Sequence, residues 1–479
     1  MRITRRTMLL GAGAGALTVL LASCTPESTD PKPTRSPEPT VTPTPVGEVP
    51  AAAAFLRTEW ATDPFALGSR SVTPVGATPV DRETLGTALV SRVFFAGEAT
   101  DPDRPGTVSG GILSGQRAAD EVIDVAEAGE RVAVIGAGIA GAIAAGRLGD
   151  AELDVSVIEA RDRAGGRLVT HMDDDWPVPP QAGAWILGSD DTELASRMGV
   201  LGVGTVGLGD ATARGADGEI DVPTGDILQQ AVADTETLPD DVSLRAALDE
   251  AGVQGSPELE EFLAALSAFT GVDPETASSW FPPRMPESPL DAVVSDVAPL
   301  VETPLGDLDV TYASPVTGVV YDDRGVSLRL ATGEALTFDR VIVTVPLGVL
   351  QSDAIEFDPP LPFEKRSAIA ALEMGAAESV WLRFDEPFWT TEAGVWHVVG
   401  PVGPEPTPSP TPTPTPSPTP GAEGDVDTTI RTWINLLPAT GEPILVGLVG
   451  GPAARAIAEL GDDDLLTLAS ESLSPFTGA

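Results

Sequence analysis

The residues best spaced for chemistry are glycines. Val132–Ile135 is a short apolar run, followed at once by Gly136-Ala137-Gly138-Ile139-Ala140-Gly141 and then by an alanine-rich stretch. A strand that feeds a helix through such a turn suits a dinucleotide. Gly136 permits the tight turn, Gly138 lets backbone approach a pyrophosphate, and Gly141 lets helix and strand pack closely. The phosphates then sit at the positive end of the helix. In a chain with 50 glycines the spacing alone says little, and its context says more. A second strand-like run, DVSVIEA, leads into Glu159-Ala160-Arg161 and puts an acid where ribose hydroxyls would lie. Other chemistries are poorly supplied. Cys24 is the single cysteine and His171 and His397 are the only histidines, so neither a His-rich metal site nor a nucleophilic triad is supported.

A body must hold these residues in place. At 479 residues and 42% hydrophobic, the chain can bury a large core and form two domains. Its net charge of −44 carries no long acidic run and reads as a solvated acidic surface. That argues against nucleic acid as a partner and mildly favours cationic small molecules nearby. The first residues read as an address. Thr4-Arg5-Arg6-Thr7 and the short Gly/Ala-rich apolar stretch after it resemble a twin-arginine export signal, and Leu21-Ala22-Ser23-Cys24 resembles a bacterial lipobox. Residues 1–24 are therefore expected to be a signal, with lipid on Cys24. Residues 25–50 form a Pro/Thr/Ser linker, whose polyproline-like reach would be about 80 Å. A second Pro-rich tract at 404–421 is expected as a surface insert between two strands.

Four blocks carry a resemblance to a known family. They are FFAGEATDPDRPGTVSGGILSGQRAADEV (Phe94–Val122), RVAVIGAGIAGAIAAGRLGD (Arg131–Asp150), IEARDRAGGR (Ile158–Arg167) and PLGVLQ (Pro346–Gln351). Together they resemble the flavin-dependent amine oxidases: monoamine oxidases, polyamine oxidases and the flavin histone demethylases. In that family the FAGEAT-type block comes last, whereas here it comes first. TEWATDPFALGSRS (Thr58–Ser71) is likewise early, while Pro443–Ala479 resembles the segment that would precede it. The resemblance therefore implies a circularly permuted α/β fold. Its FAD-binding Rossmann-like domain, of the glutathione-reductase type, would draw on 51–190 and 311–350, and its α+β substrate domain on 191–310 and 351–479. A helix over Ser109–Ala128, the turn Gly129-Glu130 and a strand from Arg131 would join the old termini. FAD would be held non-covalently, since Cys24 is committed to lipid.

Site residues follow from the same resemblance. Gly97 and Glu98 would lie near the ribityl chain. Thr107 and Val108 would present backbone N–H groups to the flavin N1/C2=O edge at a helix N-terminus. Arg161, Gly165, Gly166 and Arg167 would form a second phosphate-contacting turn. Val316 would sit on the adenine side and Trp185 in the GAxWIxG region, although plain core packing explains both equally. The substrate side departs from the pattern. Ser379 stands where the family usually carries a lysine, and the two lysines of the chain, Lys32 and Lys365, lie elsewhere. Arg104 and Arg70 replace tyrosines, forming either an anion-recognising flavin face or two structural arginines. Trp396, His397 and Trp433 flank the insert as pocket or core residues. The candidates for catalytic roles are Ser379, Arg104, Trp396 and Trp433. The implied reaction is hydride transfer from a C–H next to nitrogen, with an amine or amino acid as substrate. Oxygen or a membrane electron acceptor would take the electrons, outside the cell membrane. A desaturase or isomerase acting on a non-amine, or an idle FAD-binding lipoprotein, are the alternatives.

Overall fold

Five short parallel strands carry the dinucleotide signal. Their order across the sheet is Asp309–Thr311, Asp154–Ile158, Arg131–Ile135, Arg340–Val343, Val93–Phe95. Val132, Ala133, Val134, Val341 and Ile342 are fully buried. Such continuous apolar runs belong to a parallel sheet covered on both faces. The computed structural model describes residues 48–215, 218–235, 237–402 and 426–477. The expected signal 1–24 with Cys24, the linker up to residue 47 and the insert 404–421 lie outside the described residues. Among the described residues no helix is long and apolar enough to cross a membrane.

Two helices cross tightly against this sheet. Val108–Ile123 starts at Thr107, whose hydroxyl accepts the Gly110 N–H at 2.9 Å, an ordinary N-cap. It ends earlier than the expected Ala128, before Gly129 turns the chain with φ 81° into the strand Arg131–Ile135. The second helix, Ile139–Asp150, lies so close that a Cβ on Gly115 would stand 2.3 Å from the Ala140 carbonyl oxygen. Glycine is what lets the two backbones meet.

A seven-stranded sheet builds the other half. Its order is Ala54–Arg57, Ala377–Arg383, Ile444–Gly450, Thr432–Asn435, Val395–Val398, Ala211–Gly215, Gly218–Ile220. Alternation sorts its side chains onto two covered faces. Trp381, Val395, Ile434, Val446 and Leu448 face the core shared with the parallel sheet. Val380, Leu382, Trp396, Trp433 and Leu445 face the C-terminal helices. The two-part α/β architecture is thus as expected, with particular strands shared across the expected boundaries. Ala54–Arg57, expected in the FAD part, pairs with Ala377–Arg383. Asp309–Thr311, mostly in the expected substrate part, extends the parallel sheet. A four-stranded sheet, Ala335–Phe338, Val326–Leu330, Val316–Tyr321 and Glu356–Asp358, completes the frame.

Candidate cofactor and substrate cavity

A cavity of about 970 Å³ opens between the two large sheets. That lies at the upper end of the range for ligand cavities, about 300–1,000 Å³. Gly136, Gly138, Ile139 and Ala140 line it at one end. Gly136 has φ 104°, in the left-handed region that a side chain resists, and a Cβ there would meet the Thr344 hydroxyl at 2.6 Å. Gly141 does not face the cavity. A Cβ on it would stand 1.9 Å from the Gly136 carbonyl oxygen, so its part is close packing of helix on turn. Gly138 caps the helix Ile139–Asp150 without any side-chain acceptor, and a Cβ on it would enter open space. The free N–H groups there face room for an anion.

Glu159 stands at the end of the strand Asp154–Ile158 and borders the cavity together with Ala160 and Arg161. One of its carboxylate oxygens accepts the Ala137 N–H at 2.7 Å and the other accepts the Arg161 N–H at 2.8 Å. A carboxylate has about four acceptor positions, so two remain for ribose hydroxyls. The Arg161 guanidinium is committed elsewhere: it makes a bidentate pair with Asp63 at 2.7 and 2.8 Å. Burial pushes the Asp63 carboxyl up, but Arg161 and the Phe65 N–H bring it below the usual carboxylate range. Gly165, Gly166 and Arg167 also line the cavity. Arg167 donates to Glu98 at 2.9 Å and to the Ser69 carbonyl at 3.0 Å.

Glu98 is the electrostatic centre of this wall, 7% exposed and beside Gly97. It accepts from the Ser71 hydroxyl at 2.5 Å, the Gly106 N–H at 2.8 Å and Arg167 at 2.9 Å. Burial alone would raise its pKa; Arg167, the Ser71 hydroxyl and Arg82 together hold it below the ordinary value. Thr107 and Val108 line the cavity at the N-terminus of their helix, and Val316 lines the opposite end. Trp185 borders the cavity too, with its ring 4.9 Å from that of Trp381.

Across the cavity, Ser379 and Leu448 are register partners on adjacent strands, and both line the wall. The Ser379 hydroxyl accepts the Trp381 indole N–H at 3.2 Å. Glu378 borders the same region, accepting the Thr58 hydroxyl at 2.5 Å and the Ala61 N–H at 2.8 Å. Burial pushes its carboxyl above the usual range. Arg70 and Arg104 both reach the cavity, Arg104 as an exposed residue beside Asp191. Lys365 does not. It is buried, and its ammonium donates to the carbonyls of Thr84, Leu85 and Thr87.

Trp396 and Trp433 are a correction. Both are fully buried on the sheet face turned from Leu448. Trp396 stacks on Phe476 with ring centroids 4.4 Å apart, and the Trp433 indole donates to the Ile430 carbonyl. They are core and do not touch the cavity. His397 is likewise enclosed, its Nδ1 2.6 Å from Glu261. The sequence reading missed the segment Trp280–Pro286, which lines the cavity with Trp280, Phe281 and Arg284. Its run of prolines gave no periodic pattern to follow, only a loop whose packing partners lie far away in sequence.

The profile of the family "flavin containing amine oxidoreductase" matches residues 42–123 and 229–479, and that of an NAD(P)-binding Rossmann-like domain matches residues 134–198. The chain belongs to the flavin containing amine oxidoreductases. Among curated relatives, the probable polyamine oxidase 4 of Arabidopsis thaliana is 29% identical over 371 residues, 69% of this chain and 68% of that one. Polyamine oxidase 4 of Oryza sativa subsp. japonica is 28% identical over 376 residues, covering 71% and 72%. Among solved structures, a wild-type putrescine oxidase bound to putrescine shares the fold, with TM-score 0.52 and 21% identity, over 73% of this chain and 82% of that one. The uncapped helix end at Gly138 and the spare acceptors of Glu159 fit the family's dinucleotide cofactor, FAD, held by non-covalent contacts.

Proposed function

We propose that this chain is an exported, lipid-anchored and circularly permuted flavoenzyme that oxidises a C–N bond of an amine or amino acid. One observation carries the reading. The glycine turn with Glu159, the Gly97-Glu98 block with Thr107-Val108, and Ser379 on the second sheet all border one cavity. FAD held there would supply the hydride acceptor for oxidation of the carbon next to nitrogen to an imine, which water hydrolyses. The protein's own residues bind and orient. Glu159 holds ribose hydroxyls, the helix end at Gly138 neutralises phosphate, and the helix starting at Val108 offers positive N–H groups where charge develops. Trp185 and Trp381 keep the floor beside Ser379 dry. Polyamine and putrescine oxidases among the relatives support a small amine as substrate. Oxygen or a membrane electron acceptor takes the electrons.

The permutation is supported by where the early blocks sit. Ala54–Arg57 pairs with Ala377–Arg383, and Arg57 donates to the carbonyls of Leu460 and Ala458 in the C-terminal helical region. The early segment thus lies beside the late one that would precede it in the family order. Attachment through Cys24 rests on the lipobox-like Leu21–Cys24 alone. Purified protein should show flavin absorbance that bleaches anaerobically with an amine or amino acid. Peroxide on admitting air marks oxygen as acceptor. A colourless protein indifferent to added FAD overturns the proposal. A gene in which residues 51–128 follow residue 479 should give the same spectrum, and Cys24→Ser should release the protein from the membrane.

A further inference from the structure

Arg70 is a half-buried cation with no counterion among the described residues. It opens the strand Arg70–Val72, paired with Glu373–Gly375, and lines the cavity. Its stem runs between two glycines. A Cβ on Gly106 would meet its Cδ at 3.3 Å, and one on Gly271 would meet its Cγ at 3.3 Å. Gly106 and the adjacent Ser71 both donate to Glu98, so Arg70 stands beside the Glu98 block, while Gly271 also approaches the Ala376 carbonyl next to the strand Ala377–Arg383. Among the described residues its guanidinium makes no hydrogen bond or ion pair. Glu98 attracts it at a distance but spends its own oxygens on Ser71, Gly106 and Arg167. Arg167 repels it.

Elsewhere among the described residues, few arginines are left this way. With 72 acidic residues against 28 basic ones, partners are abundant. Among the described residues, Arg70, Arg104, Arg197, Arg284 and Arg366 are the arginines whose side chains make neither hydrogen bond nor ion pair. Three of them, Arg70, Arg104 and Arg284, line the cavity. A desolvated charge is tolerated when a partner completes it. Of the carboxylates that border the same space, Glu98 is paired with Arg167, Glu159 accepts two N–H groups and burial pushes Glu378 toward neutrality; Asp103, Asp190 and Asp191 line it too, and none of them makes an ion pair with these arginines.

We infer that Arg70 is the residue that reads the substrate, and that the substrate is an amine bearing a carboxylate, an amino acid in the broad sense. The planar guanidinium pairs with a carboxylate through two parallel N–H···O bonds, a match that an ammonium end of a diamine cannot make. Arg104 and Arg284, exposed at the rim, draw the anion inward through an otherwise acidic surface. This rests on the amine-oxidising reading above and sets its substrate apart from the polyamines of the relatives.

The test compares substrates that differ by one group. Butylamine, norvaline and 5-aminopentanoate share the same amine and carbon chain apart from a carboxylate, and putrescine supplies the doubly charged rival. Anaerobic flavin reduction should favour the better of the two carboxylates over butylamine by about 100-fold in kcat/KM, the scale of a buried charged partner gained or lost. Arg70→Met should bring the two within about 3-fold of each other while keeping flavin content and Tm, and Arg70→Lys should fall between. Butylamine or putrescine reacting faster in the parent protein overturns the inference and leaves the amine-oxidising reading standing. Loss of FAD in Arg70→Met also overturns it, because Arg70 would then serve the cofactor. Should no compound bleach the flavin, pentanoate decides: a saturable, Arg70-dependent change in flavin absorbance supports carboxylate recognition, and none refutes it.

Discussion

In the part of the cavity wall formed by Glu98, Glu159, Arg161 and Arg167 each charged side chain has a protein partner, whereas in the part formed by Arg70, Arg104 and Arg284 none makes a hydrogen bond or ion pair among the described residues. The first part is complete before any ligand arrives. Its hydrogen bonds fix the shape of the cradle, so the cofactor meets preorganised donors at no reorganisation cost. The second part is left for a ligand to complete, which is what discrimination between substrates requires. Rigidity and selectivity have been given to different side chains around one space.

Glu98→Gln should produce the largest effect, because it removes the partner of the half-buried Arg167 and the charge facing the buried Arg82, at a cost of about 3 kcal/mol. The sign of its pH dependence follows from the depressed pKa. The folded value lies below the ordinary 4.5, so the stabilisation is present above 4.5 and is lost as pH falls through the folded value. Denaturant midpoints measured from pH 7 down to 3 should show that acid loss in the parent and a flatter curve in Glu98→Gln. An unchanged midpoint at pH 7 would break the contrast between the two parts. Gly141→Ala comes next. Its Cβ would stand 1.9 Å from a carbonyl oxygen that cannot rotate away, so we expect about 1–3 kcal/mol of destabilisation with reduced flavin content.

How much of this was legible in the sequence follows the same division. The glycine turn and Glu159 are local chain geometry, exposed by spacing read together with the flanking strands, while the helix start at Thr107 came from the family resemblance of its block. Arg161 was readable as a residue near the turn, yet its partner Asp63 lies 98 residues earlier and only folding joins them. Trp396 and Trp433 misled because their strands are buried on both faces. Period-two alternation then sorts side chains into two faces without naming the one that meets the cavity. The fold of the cofactor half was plain for the reason that its strands are short apolar runs followed by turn glycines. The strand Ala54–Arg57 was misplaced because pairing with residue 377 onward leaves no mark in its own sequence.

Glu378→Gln sharpens the contrast from elsewhere on the cavity border. Burial has raised the folded pKa above 4.5, so the parent loses stability as pH rises from 4.5 through that higher value. Removing the carboxylate should leave the variant within about 1 kcal/mol of the parent at pH 8, at or above it, and relatively weaker near pH 4. A loss comparable to that of Glu98→Gln at pH 8 would mean that both carboxylates are equally completed.

Ser379→Ala should have the smallest consequence. Serine has no ordinary base strength, and the Ser379 hydroxyl already accepts the Trp381 indole N–H, which further lowers its readiness to take a proton. Loss of a side chain that truly moves a proton costs about 10²–10⁴-fold, while loss of one that only fills space between Trp381 and Leu448 costs little. We therefore expect the anaerobic reduction rate to fall by less than about 3-fold, with KM unchanged, since positioning and the cofactor supply the rate. A fall beyond about 100-fold would put Ser379 in the proton path. The cavity wall beyond the cofactor cradle would then hold a chemical group as well as a selective one, and the division between the two parts would not survive.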